Sequence, residues 1–170
     1  MGVRTTSWGG PLWHATFCMA INYDDHPSRN KKQIYSNYFD LLGQILPCYF
    51  CRRYYEDCKI VLPLDQFLND ATIDFPVMRW LYLLKDLVNK KLIRQEHECF
   101  RRECTKIDND DALNHRAKSY RKRKLRAKIF YTQPSPPFEE VLAYYSSLKS
   151  TCESTEINQS LQSCRHIPKL

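Results

Sequence analysis

Glycine is scarce in this chain, which has 4 glycines among 170 residues. Tight two-residue hairpins and phosphate-cradling loops both depend on glycine, because only glycine adopts positive φ at little cost. The chain therefore has little material for either structure, and its composition favours helices. Hydrophobic residues at 43% and aromatic residues at 13% are typical of a globular protein.

Long apolar runs are also missing. The first seven residues are polar and lead into Trp8 without the apolar stretch of a signal peptide, and no later stretch is long enough to span a membrane. We therefore expect a soluble protein that is not secreted. Eight cysteines in such a chain favour metal or redox chemistry over a disulfide-stapled secreted scaffold.

The length of 170 residues suits one domain with an extension better than two full domains. Apolar residues recur at three- and four-residue steps in several segments, which predicts amphipathic helices. These helices cover residues 11–23, 33–46, 48–59, 75–92 and 138–149, with a short helical piece in 63–69. The sequence thus predicts an all-α fold, with a domain in residues 1–95 and a basic, partly helical C-terminal extension in residues 96–170.

Positive charge is concentrated in residues 115–129, which hold eight Arg or Lys residues and no acidic residue. The rest of the chain is close to neutral, since the whole chain carries a net charge of +7. Such a run is typical of a solvated helix face or an interaction tail. The alternatives are contact with nucleic-acid phosphates, a localisation signal and docking of an acidic substrate.

Cys48 and Cys51 form a C-x-x-C pair in the sequence LPCYFC, where Pro47 ends one predicted helix and the next begins at or near Cys48. A helix N-terminus lowers the pKa of a thiol, and thiols at positions i and i+3 lie within disulfide reach. A redox pair is one interpretation. A zinc site completed by Cys99 and Cys104 is another, and two inert cysteines are a third. Thioredoxin-like chemistry is disfavoured, because helical periodicity rather than a strand precedes the pair.

Two further motifs flank the pair at fitting distances. Trp8-Gly9-Gly10-Pro11-Leu12-Trp13 lies upstream, and the helix from Trp80 to Leu92, with its Val88-Asn89 step, lies downstream. This order resembles the FAD-linked sulfhydryl oxidases of the Erv/ALR family, especially the short forms that large DNA viruses encode. The resemblance covers roughly residues 8–95.

The resemblance implies a four-helix bundle plus a short fifth helix that holds FAD without a Gly-rich fingerprint, and no G-x-G-x-x-G occurs here. It implies that Cys48 exchanges disulfides with a protein dithiol and that Cys51 passes the electrons to FAD. Dioxygen would then be reduced to hydrogen peroxide. The cofactor contacts that it implies are Gly9, Gly10, Trp13, Val88, Asn89, Lys91 and Leu92.

Two positions depart from the family pattern. Phe17 stands where many members have a histidine, and Lys85-Asp86 stands where they have His-Asn. A flat aromatic side chain can still pack against an adenine. We assign no role to His14 or His26, which are most simply surface or turn residues.

The remaining cysteines allow several interpretations. We expect Cys18 to be a half-buried free thiol and Cys58 to be inert. The others form two candidate pairs, Cys99 with Cys104 and Cys152 with Cys164. Each pair could be a structural disulfide or a shuttle pair that relays electrons to Cys48. The tail pair is the better shuttle candidate.

The resemblance therefore implies an FAD-dependent thiol oxidase that forms disulfides in other proteins, without a bound metal or a membrane partner. Its partners would be protein dithiols, with a thioredoxin-like carrier as one option, and dioxygen, and we expect a homodimer through the first helices. Because cytosol is reducing, a virus that assembles disulfide-bonded proteins there needs such an enzyme, so we expect it in the host cytoplasm or the virion. The alternative is a basic, nucleic-acid-associated protein whose cysteines are structural or bind zinc.

Overall fold

The fold is all-α, as predicted. The computed structural model describes residues 3–149, in which seven helices and no strand occur. Their bounds are α1 Thr5–Ala20, α2 Arg29–Ile45, α3 Tyr49–Val61, α4 Leu64–Asn69, α5 Pro76–Asp108, α6 His115–Ile129 and α7 Phe138–Ser147. The predicted bundle corresponds to helices α1, α2, α3 and α5, with α4 as the short additional helix.

Helix α1 begins six residues earlier than predicted, at Thr5 rather than Pro11. The prediction was wrong because it placed the proline at the first helical position. Pro11 instead lies inside the helix, where its missing N–H leaves the carbonyl of Ser7 without its usual partner. Ser7 is exposed, so water can satisfy that carbonyl.

Helices α2 and α3 pack closely where α2 has a glycine. A Cβ atom on Gly43 would lie 2.5 Å from a ring carbon of Tyr55, so only glycine leaves room for this ring. The Tyr55 hydroxyl donates a hydrogen bond to the Phe39 carbonyl at 2.8 Å, which ties α3 to α2. The residue at position 43 therefore sets how closely α3, with its C-x-x-C pair, approaches α2.

Helix α5 is the central element and is longer than predicted. The first half of the helix is largely buried. Trp80 is fully enclosed and donates from its indole N–H to the Leu62 carbonyl at 2.9 Å, so this tryptophan is structural. The helix then continues past residue 92 to Asp108 without a break. It crosses residue 95, where the sequence placed the end of the first domain, and that division stays a prediction.

The described part of the extension, which ends at residue 149, packs back onto the bundle. Helix α6 lies along the distal half of α5, where Lys122 forms an ion pair with Asp108 at 2.6 Å. The buried carboxylate of Glu96 accepts hydrogen bonds from the backbone N–H and the hydroxyl of Thr132, which fixes the chain as it leaves α6. Helix α7 then returns to α1, where the Tyr145 ring stacks on Phe17 with centroids 4.9 Å apart.

None of the helices within residues 3–149 is both long enough and apolar enough to cross a bilayer. Cys152 and Cys164, the predicted shuttle pair, lie outside the described residues.

Candidate redox site

The C-x-x-C pair sits at the N-terminus of α3. Cys48 is the N-cap residue with an extended backbone, and its Sγ accepts a hydrogen bond from the backbone N–H of Cys51 at 3.3 Å. The guanidinium of Arg52 donates to the Leu46 carbonyl and thereby holds the turn that precedes the helix. The sulfur thus takes the place of the Ser or Asp oxygen that usually caps a helix.

This position makes Cys48 the more acidic thiol. Partial burial opposes its ionisation, but hydrogen bonds from the Cys51 side chain, the Cys51 backbone and the Phe50 backbone outweigh burial, and the charge of Arg52 adds to them. The pKa of Cys48 is therefore lowered from its usual value. The direction is the one that the sequence predicts for a thiol at a helix N-terminus.

Cys51 behaves in the opposite way. Burial raises its pKa to about 12, helped by its hydrogen bond to Cys48 and by the negative charge of the Cys48 thiolate, although Lys91 and Arg52 oppose the rise. In the reduced pair, Cys48 is therefore the first thiol to lose its proton, and Cys51 keeps the proton that lies between them. Loss of the charge on Cys48 lowers the Cys51 pKa, although burial still raises it.

The two thiols also differ in their surroundings. Cys51 packs against the hydrophobic core, whereas Cys48 does not belong to that packing. The two residues between them are exposed aromatics, with 57% of Tyr49 and 77% of Phe50 accessible to solvent. The pair thus joins the core to an exposed apolar surface.

Lys91 lies beside Cys51 on the facing helix α5. Its Nζ is 3.6 Å from the ring centroid of Tyr54, whose hydroxyl donates to the Leu87 carbonyl at 3.1 Å. Burial raises the pKa of both Cys51 and Cys58, and the charge of Lys91 opposes both rises. Among the described residues, Lys91 has no carboxylate partner.

A second group of polar side chains joins α1, α5 and the segment before α7. The Lys85 ammonium lies 5.3 Å from the ring centroid of Trp13 and donates to Oδ1 of Asn89 at 2.6 Å. The Asn89 amide in turn donates to Ser135 Oγ at 2.9 Å. Burial lowers the pKa of Lys85, and within residues 3–149 no acidic side chain is paired with it.

The structure therefore brings some of the predicted cofactor contacts together. Trp13 and Asn89 meet through Lys85, and Lys91 lies beside Cys51. Gly9 and Gly10 lie one turn earlier on α1, and a Cβ atom on either would meet nothing within 4 Å, so the surface there is open. Val88 and Leu92 are half-buried on α5 and make no polar contact.

The chain matches the model of the Erv1/Alr family over residues 11–111, which is more than half of its length. It belongs to the Erv1/Alr family. Among curated proteins, it is similar to 096R of Invertebrate iridescent virus 3, which is named as a candidate FAD-linked sulfhydryl oxidase, with 31% identity over 52 residues. That similarity covers 31% of this chain and 35% of the relative, so the chain spans about a third of the length of the curated relative it matches.

The departures from the Erv1/Alr pattern have structural counterparts here. Phe17 is buried between Trp13 and Tyr145, with ring centroids 6.4 Å and 4.9 Å away, so this position serves the packing of α7. Lys85 places an ammonium group where many members carry an imidazole. A cation therefore faces Trp13.

Cys99 and Cys104 do not fit a disulfide in this fold, contrary to one of the predicted options. Both lie in the unbroken helix α5, five residues apart, so their Cα atoms are separated by about 7.5 Å along the axis and by about 140° around it. A disulfide needs Cα atoms within about 7 Å and Cβ atoms that face each other. Within residues 3–149, no three metal-binding side chains gather, so the zinc interpretation gains no support.

Sequence reasoning missed two groups at this site. Tyr54 lies one turn after Cys51 on α3, and that spacing could have placed it on the face toward α5. Ser135 lies 46 residues from Asn89 and carries no local signal. Only the return of the extension onto the bundle brings it to the site.

Proposed function

We propose that this protein is an FAD-linked sulfhydryl oxidase that forms disulfide bonds in protein substrates. The observation that carries the proposal is the C-x-x-C pair, in which Cys48 is the more acidic thiol at the N-terminus of α3 and Cys51 is a half-buried thiol near Lys91 on α5. Family membership supports the reaction class. The name of the viral relative supports FAD as the cofactor.

The side chains near the pair fit an anionic aromatic cofactor. Lys85 and Lys91 are half-buried ammonium groups that no carboxylate within residues 3–149 neutralises, and Trp13 offers a ring beside the first of them. Such cations are costly to bury unless an anion reaches them, and the pyrophosphate of FAD supplies one. Trp13, Lys85, Asn89 and Lys91 would hold FAD, which accepts two electrons and passes them to dioxygen, giving hydrogen peroxide.

The two thiols have different roles in the reaction with substrate: Cys48 is attacked, and Cys51 is the leaving group. In the oxidised protein, a substrate thiolate attacks Cys48 Sγ; the bond from Cys48 to Cys51 breaks, and Cys51 leaves as a thiolate. At that moment, Cys48 carries no charge. Burial still raises the Cys51 pKa, but the charge of Cys48 no longer adds to it, and Lys91 stabilises the new anion. The second substrate thiol then displaces Cys48, which leaves a disulfide in the substrate and both cysteines reduced.

The exposed aromatic surface around Cys48 suits substrates whose thiols lie on apolar segments. Tyr49 and Phe50 stand exposed beside the sulfur, where a water-soluble protein gains nothing from two unpartnered aromatic rings unless a partner covers them. A partly folded protein dithiol, or a thioredoxin-like carrier with an apolar rim, would cover these rings. Dithiothreitol would react without them.

We also propose a homodimer that forms through α2. Leu41 and Ile45 lie one turn apart on one side of α2 and are exposed, Leu41 by 58% and Ile45 by 74%. A two-fold contact would bury this stripe on both copies at once, because such an interface uses the same patch twice. Sedimentation should give a dimer for the wild type and a monomer for Leu41→Glu, with Gln33→Glu, an exposed polar position on the same helix, as the matched control. A wild-type monomer would remove the dimer from the proposal.

The experiment for the enzymatic proposal is oxygen consumption by the purified full chain with a dithiol. Cys48→Ser and Cys51→Ser should each abolish it, because the first removes the exchanging sulfur and the second removes the electron donor to the cofactor. Cys104→Ser removes a half-buried thiol from the distal part of α5 and should leave the rate unchanged. Activity retained in both C-x-x-C variants would refute the assignment.

The viral relative favours a viral setting for this reaction, and we propose the host cytoplasm or the virion as its place. Purified virions and cell fractions, probed with an antibody to the chain, should contain the protein in one of these two. Recovery only from the secretory compartments would overturn this part of the proposal.

A second candidate function is electrostatic contact of α6 with a phosphate polyanion. Helix α6 carries eight cations, of which only Arg121 and Lys122 are paired with a carboxylate of residues 3–149. The contact would be independent of sequence and would weaken steeply with salt. Gel-shift titration with duplex DNA should show that binding weakens with salt. The double variant Arg123→Gln/Lys124→Gln should lose this salt-dependent binding. Binding of the wild type that resists salt would contradict this candidate function.

A further inference from the structure

A second cluster of reactive side chains lies on α1, away from the C-x-x-C pair. The thiol of Cys18 is 3.7 Å from Nε2 of His14, one turn earlier on the same helix. The other ring nitrogen of His14, Nδ1, is 3.4 Å from the hydroxyl of Tyr145 on α7. A thiol, an imidazole and a phenol thus stand in line, although the sequence assigned no role to either Cys18 or His14.

In this geometry, the His14 imidazole can donate a hydrogen bond to Tyr145 and accept a proton from Cys18. When Nδ1 carries the proton and donates it to the Tyr145 oxygen, the lone pair of Nε2 faces Cys18 and can accept the thiol proton. Tyr145 is held in place by stacking on Phe17, with centroids 4.9 Å apart, and its ring also packs against His14 at 5.7 Å. The phenol therefore positions the imidazole, and the imidazole serves the thiol.

Beside the thiol lies a cavity of about 480 Å³ between α1 and α2. Its lining is mainly apolar and aromatic and includes Cys18, Met19, Ile34, Tyr35 and Tyr38. A sulfur atom at the wall of an apolar cavity is accessible to reagents whose apolar substituents fit into that cavity. The proton acceptor, His14, lies on the same helix, so the cavity and the imidazole both act on the sulfur of Cys18.

We propose that Cys18 is a second thiol–disulfide exchange site, which takes a disulfide with an apolar substituent. The Cys18 thiolate attacks one sulfur of that disulfide, a bond from Cys18 to this sulfur forms, and the original S–S bond breaks. The departing thiolate leaves with the electron pair and takes up the proton that His14 holds. The protein then carries a mixed disulfide at Cys18, which an incoming thiol reverses.

The test uses the reduced full chain with Cys48→Ser/Cys51→Ser, so that the site at α3 cannot relay electrons and the result does not depend on the proposed oxidase function. Dipyridyl disulfide, which is apolar, and glutathione disulfide, which is charged, are the two probes. Peptide mass spectrometry after an acid quench gives the rate of adduct formation at Cys18 and at Cys104. The second thiol is also half-buried but has no histidine beside it.

With dipyridyl disulfide, Cys18 should react about tenfold or more faster than Cys104, and the ratio should fall severalfold with glutathione disulfide. His14→Gln should slow Cys18 about tenfold and leave Cys104 unchanged. Tyr145→Phe keeps the stacked ring and should slow Cys18 by about threefold, whereas Tyr144→Phe, at the neighbouring exposed position, should not. Equal rates at the two cysteines, no effect of His14→Gln, or an unchanged ratio with both probes would overturn the proposal.

Discussion

The Sγ of Cys48 accepts a hydrogen bond from the backbone N–H of Cys51, 3.3 Å away, so the sulfur is the cap of the helix that carries its partner. This contact exists only because the chain turns from extended to helical at Cys48. It favours the thiolate of Cys48, and the charge of that thiolate adds to burial in raising the pKa of Cys51. The difference between the two thiols follows from this contact together with the burial of Cys51.

The first prediction concerns the pH dependence of alkylation in the reduced protein. Cys48 should react with iodoacetamide with a midpoint below that of a free thiol, because its folded-state pKa is lowered. In chains whose Cys48 is not yet alkylated, Cys51 should stay unreactive until the pH approaches about 12. Peptide mass spectrometry after timed alkylation gives both profiles. Two cysteines with the same midpoint would contradict the division of roles.

The second prediction tests the link between the two thiols. In Cys48→Ala, the hydrogen bond and the charge that add to burial in raising the Cys51 pKa are both gone, so the midpoint for alkylation of Cys51 should fall below about 12. Adding Lys91→Met should raise it again, because the ammonium of Lys91 opposes the rise. Lys90→Met is the control, since the adjacent Lys90 is exposed and paired with Asp86. An equal effect of the two lysine variants would remove Lys91 from the site.

The third prediction concerns Lys85 in the protein freed of FAD. Lys85→Met should weaken FAD binding about tenfold, which corresponds to about 1.4 kcal/mol, because one of the two ammonium groups that would hold the anionic cofactor is lost. The same change should stabilise the FAD-free protein, since burial lowers the Lys85 pKa and a half-buried cation without a carboxylate partner is costly. Fluorescence titration with FAD measures the first effect and urea unfolding the second.

The stability gain of Lys85→Met should depend on pH in a defined direction. Between the folded and unfolded pKa of Lys85, the unfolded chain binds more protons, so the wild-type protein gains stability as the pH rises through this window. The variant lacks that gain, and the difference between the two should shrink at alkaline pH. Tighter FAD binding by the variant would contradict the role given to Lys85.

The fourth prediction concerns the packing of α2 on α3. Gly43→Ala should destabilise the fold by about 1–3 kcal/mol, because the added methyl would overlap the Tyr55 ring. Gly10→Ala is the matched control on α1, where the methyl meets nothing, so it should be neutral or stabilise by up to about 1 kcal/mol. Urea unfolding of the FAD-free proteins gives both values. A stable Gly43→Ala protein would show that α3 can move away from α2.

The fifth prediction concerns the aromatic residues between the two cysteines. Phe50→Ser should raise KM for a reduced, unfolded protein substrate several-fold and leave the rate with dithiothreitol unchanged, because Phe50 is exposed beside Cys48 and lies outside the core. Ile60→Ser removes an equally exposed apolar side chain near the other end of α3 and should affect neither substrate. Loss of activity with both substrates would place Phe50 in the fold rather than in docking.

The sequence predicted the helices and the position of the pair because these depend on local patterns. Pro47 and the apolar steps of α2 and α3 placed Cys48 at a helix N-terminus, where the structure has it. The start of α1 was missed because a proline after the first turn was taken as the first residue. The end of α5 was missed because its distal half is solvated except on the side toward α6, so apolar periodicity fades after residue 92.

The contacts that complete the site could not be predicted from local patterns. The hydrogen bond from Asn89 to Ser135 joins residues 46 positions apart, and the contact from Tyr145 to His14 spans 131 positions. Both depend on the path by which the extension returns to α1, which Glu96 and Thr132 fix through a buried hydrogen bond. Propensity carries no information about such a path.

The most direct test of the central claim is anaerobic reduction of the purified full chain by a dithiol, followed by visible absorbance. The wild-type protein should be yellow, with about one FAD per chain, and its flavin should bleach after the dithiol is added and recover in air. Cys51→Ser should retain the yellow colour and fail to bleach. A colourless protein, or a Cys51→Ser variant that bleaches as fast as the wild type, would contradict electron transfer from Cys51 to FAD.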